Sequence, residues 1–128
     1  MIYLDTSVAL AHLFAEDRVP PDALWREALV SSRLLEYEMW TRIHARQASA
    51  SHGELARELL RRVALIELQP AVLARALEPF PVVVRTLDAL HLASLEFLRG
   101  HGQAVRLASY DDRMNLAARQ LRIPLYDV

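Results

Sequence analysis

The chain has 128 residues, of which 53% are hydrophobic and 24% charged, and it contains no cysteine. These values predict one globular domain, residues 1–128, and exclude disulfides, thiolate metal sites, cysteine nucleophiles and a membrane span. All 15 basic residues are arginine, which excludes lysine-dependent chemistry such as a P-loop or a Schiff base, and the net charge of −1 gives no general basic footprint for nucleic acid.

The chain opens with a short apolar, β-prone run, Ile2–Leu4, that ends directly at Asp5. Thr6 or Ser7 is then a suitable N-cap for an amphipathic helix over residues 8–14. In an open α/β sheet, ligands bind at the carboxyl ends of the strands, and a carboxylate buried there needs a cation, a proton or hydrogen-bond donors. Helix capping alone would also explain an isolated Asp5, so its meaning depends on whether other carboxylates reach the same edge.

The rest of the sequence alternates between strand-like and helix-like segments. Further strands are predicted at 29–32, 64–68, 104–109 and 125–128. Helices are predicted at 22–29, 34–47, 54–63, 70–77, 87–98 and 111–121, with a turn at 48–53, a cap at Thr86 and a stop at Gly100. This alternation, with its short connections, predicts an α/β fold in which a mostly parallel sheet of about five strands is covered by helices.

Four of the seven aspartates lie at junctions between these predicted elements. Asp5 ends the first strand, Asp88 lies in the first turn of helix 87–98, and Asp111 and Asp112 follow strand 104–109. Each is ordinary alone, because aspartate is favoured at helix caps and in first turns. Together they place three acidic positions at one edge of a parallel sheet, where like charges repel and raise each other's pKa. A hard divalent cation, Mg²⁺ or Mn²⁺, would resolve that repulsion.

The motifs around these acids, in this order, resemble those of the PIN-domain family. They are Asp-Thr-Ser at 5–7 after an apolar strand, Asp-Ala-Leu-His-Leu-Ala at 88–93, and Ser-Tyr-Asp-Asp-Arg-Met at 109–114 with two alanines downstream. Within the family, the short length and motif order resemble the VapC-type toxin ribonucleases of toxin–antitoxin pairs. The resemblance spans nearly the whole chain and implies a PIN-like three-layer fold with an acidic pocket that binds Mg²⁺ or Mn²⁺ and cleaves RNA.

The resemblance also assigns residues to that pocket. It implies four catalytic carboxylates, of which the three aspartates are metal ligands: Asp5, Glu38, Asp88 and Asp111. Glu38 follows Ser32 by six positions, which is the family's register. Glu36 stays open as the alternative, since apolar residues flank both glutamates.

A second group of residues is expected to support the pocket: Thr6, Ser7, Arg42, Asp112 and Asn115. The two hydroxyls resemble the family's contacts beside its first aspartate, although capping alone explains at least one. Arg42 either pairs with Glu38 one helical turn away or contacts a phosphate. Asp112 is the alternative to Asp111 or a capping group, and Asn115 is expected to face the pocket. His91 belongs to the motif but is interpreted as structural, hydrogen-bonded within its helix.

By resemblance, we therefore expect a cytoplasmic Mg²⁺- or Mn²⁺-dependent endoribonuclease toxin with no membrane contact. The resemblance further implies a VapB-type antitoxin protein that covers the pocket, and a homodimer. The alternative is a catalytically inactive PIN-like module that binds a metal or a partner.

Overall fold

The fold is built on an all-parallel sheet with helices on both faces, and the computed structural model describes all 128 residues. The strands are β1 (Ile2–Leu4), β2 (Leu29–Ser32), β3 (Val63–Ile66) and β4 (Arg106–Ala108), in the order β3-β2-β1-β4. The helices are α1 (Thr6–Leu13), α2 (Leu34–Ala45), α3 (Ser49–Arg61), α4 (Pro70–Ala76), α5 (Thr86–Gly100) and α6 (Asp112–Gln120). The predicted three-layer α/β architecture is thus confirmed. No helix combines the length and the apolar character that crossing a bilayer requires.

Each face of the sheet carries its own hydrophobic core, and β1 contributes to both. Ile2 and Leu4 pack with residues of α1, α2 and α3, whereas Tyr3 faces the opposite side and packs with residues of α5 and α6. This follows from the two-residue period of a strand. All three side chains are fully buried, as expected for a central parallel strand covered on both faces.

The parallel pairing brings the ends of β1 and β4 together. Leu4 pairs with Ala108, and the backbone N–H of Asp5 donates to the Ala108 carbonyl at 3.0 Å. Asp5 therefore lies next to Ser109 although 104 residues separate them in the chain. The edge of the sheet at which both strands end is the edge predicted to carry the acids.

The helix predicted at 22–29 is wrong: only a five-residue 3-10 turn, Asp22–Arg26, forms. Glu27 has an extended backbone, and the carbonyl of Ala28 accepts a hydrogen bond from Ile2 N–H at 2.8 Å. The chain must be extended here to enter β2, so tertiary pairing overrides the local helical tendency.

The turn predicted at 48–53 is also wrong, because α3 begins at Ser49 and runs through Gly53. A Cβ atom at Gly53 would lie 3.4 Å from Cη2 of Trp40, which is part of α2. Gly53 therefore allows α2 and α3 to approach closely rather than breaking the helix.

The last predicted strand, 125–128, is reduced to a single bridge between Leu125 and Leu107. The N–H of Leu107 donates to Pro124 O at 2.9 Å and that of Tyr126 donates to Leu107 O at 2.7 Å. Four strands and one bridge thus replace the predicted five or so strands.

The helix caps differ from those predicted for two helices. Asp5 itself is the N-cap of α1, where Thr6 or Ser7 was expected. Thr86 is the first residue of α5 and Arg85 holds the N-cap position. Gly100 does end α5, which agrees with its predicted role as a stop.

Replacing Gly53 by alanine is expected to stabilise the protein by about 0.5–1 kcal/mol, because alanine is the better helix former and its methyl group just reaches Trp40. Gly53→Leu should instead destabilise it by forcing α2 and α3 apart. Urea unfolding of the two variants tests this, and a destabilising alanine would contradict the helical assignment of this segment.

Candidate active site

A cavity of about 470 Å³ opens at the carboxyl ends of β1 and β4. Four acidic residues from four different parts of the fold line it: Asp5, Glu38, Asp88 and Asp111. They belong respectively to the β1–α1 junction, α2, the first turn of α5 and the β4–α6 junction. The structure thus brings the four predicted carboxylates into one cavity.

Asp5 is held by hydroxyl groups from two junctions. Its Oδ2 accepts hydrogen bonds from Ser7 Oγ at 2.5 Å and from Ser109 Oγ at 2.8 Å. Those hydroxyls are fixed in turn by the backbone N–H groups of Tyr110 and Asp111, each at 3.0 Å. Asp5 is only 4% exposed, and these donors offset the cost of burying its charge.

Glu38 of α2 ends a series of hydrogen bonds that starts at Tyr3 of β1 and passes through His91 of α5. Its Oε1 accepts from Thr6 Oγ1 at 3.1 Å and contacts His91 Nε2 at 2.6 Å. The other ring nitrogen of His91, Nδ1, contacts the hydroxyl of Tyr3 at 2.8 Å, and that hydroxyl also accepts from Ser32 N–H at 3.1 Å. Since a carboxylate only accepts, Nε2 carries a hydrogen and donates it to Glu38.

The charge of the cavity determines how His91 titrates. Burial lowers its pKa, but the hydrogen bond to Glu38 and the negative charges of Asp5, Glu38 and Asp88 outweigh burial, so the pKa of His91 is raised. Burial also raises the pKa of the Tyr3 hydroxyl, which stays neutral at physiological pH. His91, held by Tyr3, therefore orients the Glu38 carboxylate, whether its imidazole is protonated or neutral.

Asp88 and Asp111 share one arginine. Arg85 Nε donates to Asp88 Oδ2 at 3.1 Å, and the same guanidinium bonds Asp111 Oδ2 through an Nη atom. Asp111 Oδ1 is the N-cap acceptor of α6, bonded by Arg113 and Met114 N–H. Burial, followed by the charges of Asp111 and Asp5, raises the pKa of Asp88 despite the opposing contact with Arg85.

The structure separates the alternatives that the sequence left open. Glu36 lies outside the cavity and pairs with Arg33 at 3.3 Å, whereas Glu38 lines it. Asp112 is exposed, and the capping function expected of it belongs to Asp111. Asn115 does not line the cavity: its Nδ2 donates to Ser109 O at 3.0 Å, which holds the β4–α6 junction.

The structure also excludes one of the two contacts left open for Arg42 and the contact expected of His91. Arg42 lines the cavity but forms no ion pair with Glu38, whose Oε1 is already bonded by Thr6 and His91. The hydrogen bonds of the His91 ring go to Glu38 and Tyr3, on other elements, rather than within its own helix.

Sequence reasoning missed three residues that organise this site, Tyr3, Arg85 and Ser109, and it named His91 only as a structural residue. Arg85, His91 and Ser109 adjoin or lie within the acidic motifs, and this position in the sequence could have identified them. Tyr3 gave none, because a tyrosine in a buried strand is ordinary core material.

The donor set fits a hard cation, although no three acidic or histidine side chains converge closely enough to coordinate one ion as they stand. One oxygen each of Asp5, Glu38 and Asp88 receives no hydrogen bond from the chain: Asp5 Oδ1, Glu38 Oε2 and Asp88 Oδ1. Oxygen ligands are those that Mg²⁺ and Mn²⁺ prefer. Arg85 is 64% exposed, so it can leave its two aspartates at little cost in packing.

Glu38→Gln is expected to lower the pKa of His91, because the hydrogen bond to a carboxylate and its charge are lost while burial remains. In the parent protein the raised pKa contributes stability at low pH that is lost as the pH rises through the His91 pKa. NMR titration of the ring in EDTA measures this, with Glu36→Gln as the matched control. An unchanged His91 pKa in Glu38→Gln would contradict the contact.

Comparisons with known proteins agree with this geometry. The PIN domain family model matches residues 2–120. Ribonuclease VapC46 of Mycobacterium tuberculosis is 36% identical, with 94% of this chain and 92% of that protein aligned. Ribonuclease VapC47 of the same species is 28% identical over the same shares of the two chains. No solved structure gives a significant match. The chain therefore belongs to the PIN-domain family and is of the VapC type.

Proposed function

We propose that this protein is a metal-dependent endoribonuclease toxin that hydrolyses RNA phosphodiesters at the acidic cavity. The observation that carries the proposal is the convergence of four carboxylates from four elements in one cavity. The two VapC relatives are named as ribonucleases, which supports RNA as the substrate.

Within this proposal the three aspartates and the glutamate have different roles. Asp5, Asp88 and Asp111 would hold one or two Mg²⁺ or Mn²⁺ ions, and Glu38, oriented by His91 and Thr6, faces the same space. A divalent ion held there would supply Lewis-acid chemistry for the attack of water and would offset charge on the phosphate.

A protein nucleophile is not needed for this reaction. The chain has no cysteine or lysine, and the hydroxyl groups of Thr6, Ser7 and Ser109 donate their hydrogens to carboxylates. A general acid–base mechanism would use only two carboxyl groups, whereas four line this cavity, which favours metal binding. Water is therefore the proposed attacking group.

The same cavity is the proposed target of a VapB-type antitoxin. Beside it lies a smaller cavity of about 260 Å³ whose lining includes Leu10, Tyr37 and Leu87 together with Glu38 and Arg42. Tyr37 is 64% exposed, and exposed aromatic side chains next to a polar site are typical anchors for a protein partner. A partner seated there would block access to the carboxylates.

Asp5→Asn is expected to lower RNA cleavage by more than about 100-fold, because it removes a charged ligand while keeping the side-chain shape. The assay uses purified protein, freed of any partner, and structured cellular RNA in Mg²⁺, in Mn²⁺ and in EDTA. Asp112→Asn is the matched control, since it makes the same charge change outside the cavity. Cleavage that survives in Asp5→Asn or in EDTA would contradict the proposal, and metal binding without any cleavage would favour a binding module.

Arg85→Ala is expected to tighten Mn²⁺ binding several-fold, because the guanidinium competes with the ion for Asp88 and Asp111. The same variant should melt at a lower temperature in EDTA, where the two carboxylates lose their counter-charge. Calorimetric titration and thermal unfolding measure the two effects. Arg113→Ala, exposed and nearby, should leave both unchanged, and weaker Mn²⁺ binding in Arg85→Ala would contradict the role of Arg85 as a competitor.

A further inference from the structure

A second polar groove, of about 740 Å³, adjoins the acidic cavity. Three arginines and two acids line it, and we refer to it as the arginine groove: Arg18, Arg42 and Arg46, with Glu16 and Asp17. We propose that the arginine groove binds the backbone of an unpaired RNA segment next to the phosphate that is cleaved. The inference rests on the proposed function and names a substrate subsite for it.

The arginine groove and the acidic cavity are continuous. Ser7, Leu10 and Arg42 line both. A chain whose phosphate lies over Asp5 therefore passes Arg42 as it leaves the cavity and then enters the arginine groove. The acidic cavity repels the rest of a polyanion, so a basic path at its exit is what a nucleic-acid substrate requires.

Arg42 is the arginine at the boundary, and its charge is free for a ligand. Its guanidinium forms neither a hydrogen bond nor an ion pair within the chain, although Glu38 lies one helical turn away. Glu38 Oε1 is bonded by Thr6 and His91, so the nearest carboxylate is already oriented toward other donors. An unpaired guanidinium beside a catalytic cavity is suited to a phosphate, which it can bind through two parallel hydrogen bonds.

Arg46 and Arg18 lie over aromatic rings. Arg46 lies 4.1 Å from the ring centroid of Phe14, and its ion pair with Glu16 is long, at 3.8 Å, and half exposed. Arg18 lies 5.3 Å from the ring centroid of Tyr110 and donates to the Tyr110 carbonyl at 3.2 Å. Guanidinium groups held this way offer both charge and a flat face on which unpaired bases stack.

The composition of the arginine groove favours RNA over a protein partner. Only three of its nine lining residues are apolar, which is too little apolar surface for the core of a protein interface. Nucleic-acid interfaces are, in contrast, polar and positively charged, and the three arginines of the groove outnumber its two acids, Glu16 and Asp17. Asp5 is 4% exposed, so a strand must bend to bring a phosphate to it, and an unpaired segment does this more readily than a duplex.

The test measures RNA binding separately from cleavage. Binding of a fluorescent unpaired oligoribonucleotide is followed by anisotropy in EDTA, in an Asp5→Asn background, over a range of salt concentrations. Each phosphate contact removed should lower the slope of log affinity against log salt by about 0.7 for a single strand. Arg42→Gln alone should lower it by about that amount, and the variant with all three arginines changed to Gln should lower it by about 2.

Arg119→Gln is the matched control, because Arg119 is exposed on α6, outside both cavities. With the active protein, the triple variant should raise KM at least tenfold. Unchanged affinity and salt slope in the triple variant would overturn the inference even if the parent cleaves RNA. If the parent protein bound a duplex of the same sequence equally well, the inference would also be overturned. The same holds if the triple variant kept its RNA binding but lost a co-purifying protein partner.

If the parent protein does not cleave RNA, the proposed function fails while the binding measurement still reports on the arginine groove. The proposed ribonuclease activity and the proposed RNA binding in the arginine groove can therefore be refuted independently. Thermal unfolding of every variant checks that the fold is intact, which is expected because Arg18, Arg42 and Arg46 are exposed.

Discussion

Four carboxylates share one cavity at the carboxyl edge of the sheet, and their mutual repulsion is the constraint on which the site depends. Parallel strand order places Asp5 and Asp111 at neighbouring strand ends, and the helices that cover the sheet bring Asp88 and Glu38 to the same edge. Burial makes the repulsion stronger than it would be in water. Burial is the main cause of the raised pKa of Asp88, and the charges of Asp111 and Asp5 add to it.

The groups that offset this charge are of two kinds. Asp5 and Glu38 are held by buried donors, Ser109 and His91 among them, which are fixed by the packing of the sheet and α5. Arg85 is different, because it is largely exposed and bridges two aspartates from outside. We infer that the buried donors set the shape of the site, whereas Arg85 occupies a position that a divalent ion can take over.

Much of the fold and the positions of the acids could be predicted, because strand–aspartate–helix junctions are local patterns. Of the donors that orient the acids, Thr6 and Ser7 were predicted as supporting residues. The distant donors could not be predicted, since Glu38 and His91 are 53 positions apart and Tyr3 and His91 are 88 apart. Such contacts depend on how α2 and α5 pack on the sheet. Gly53 shows the same limit: a glycine that resembles a turn signal serves helix packing instead. The catalytic and metal-binding roles of the acids remain predictions.

The most direct test of the account is the anomalous scattering of manganese in crystals of this protein soaked in Mn²⁺. We predict a peak within coordinating distance of Asp5 Oδ1 and Asp88, with Arg85 displaced from its two aspartates. A peak confined to other surfaces, or an acidic cavity that stays closed by Arg85 at saturating Mn²⁺, would contradict it.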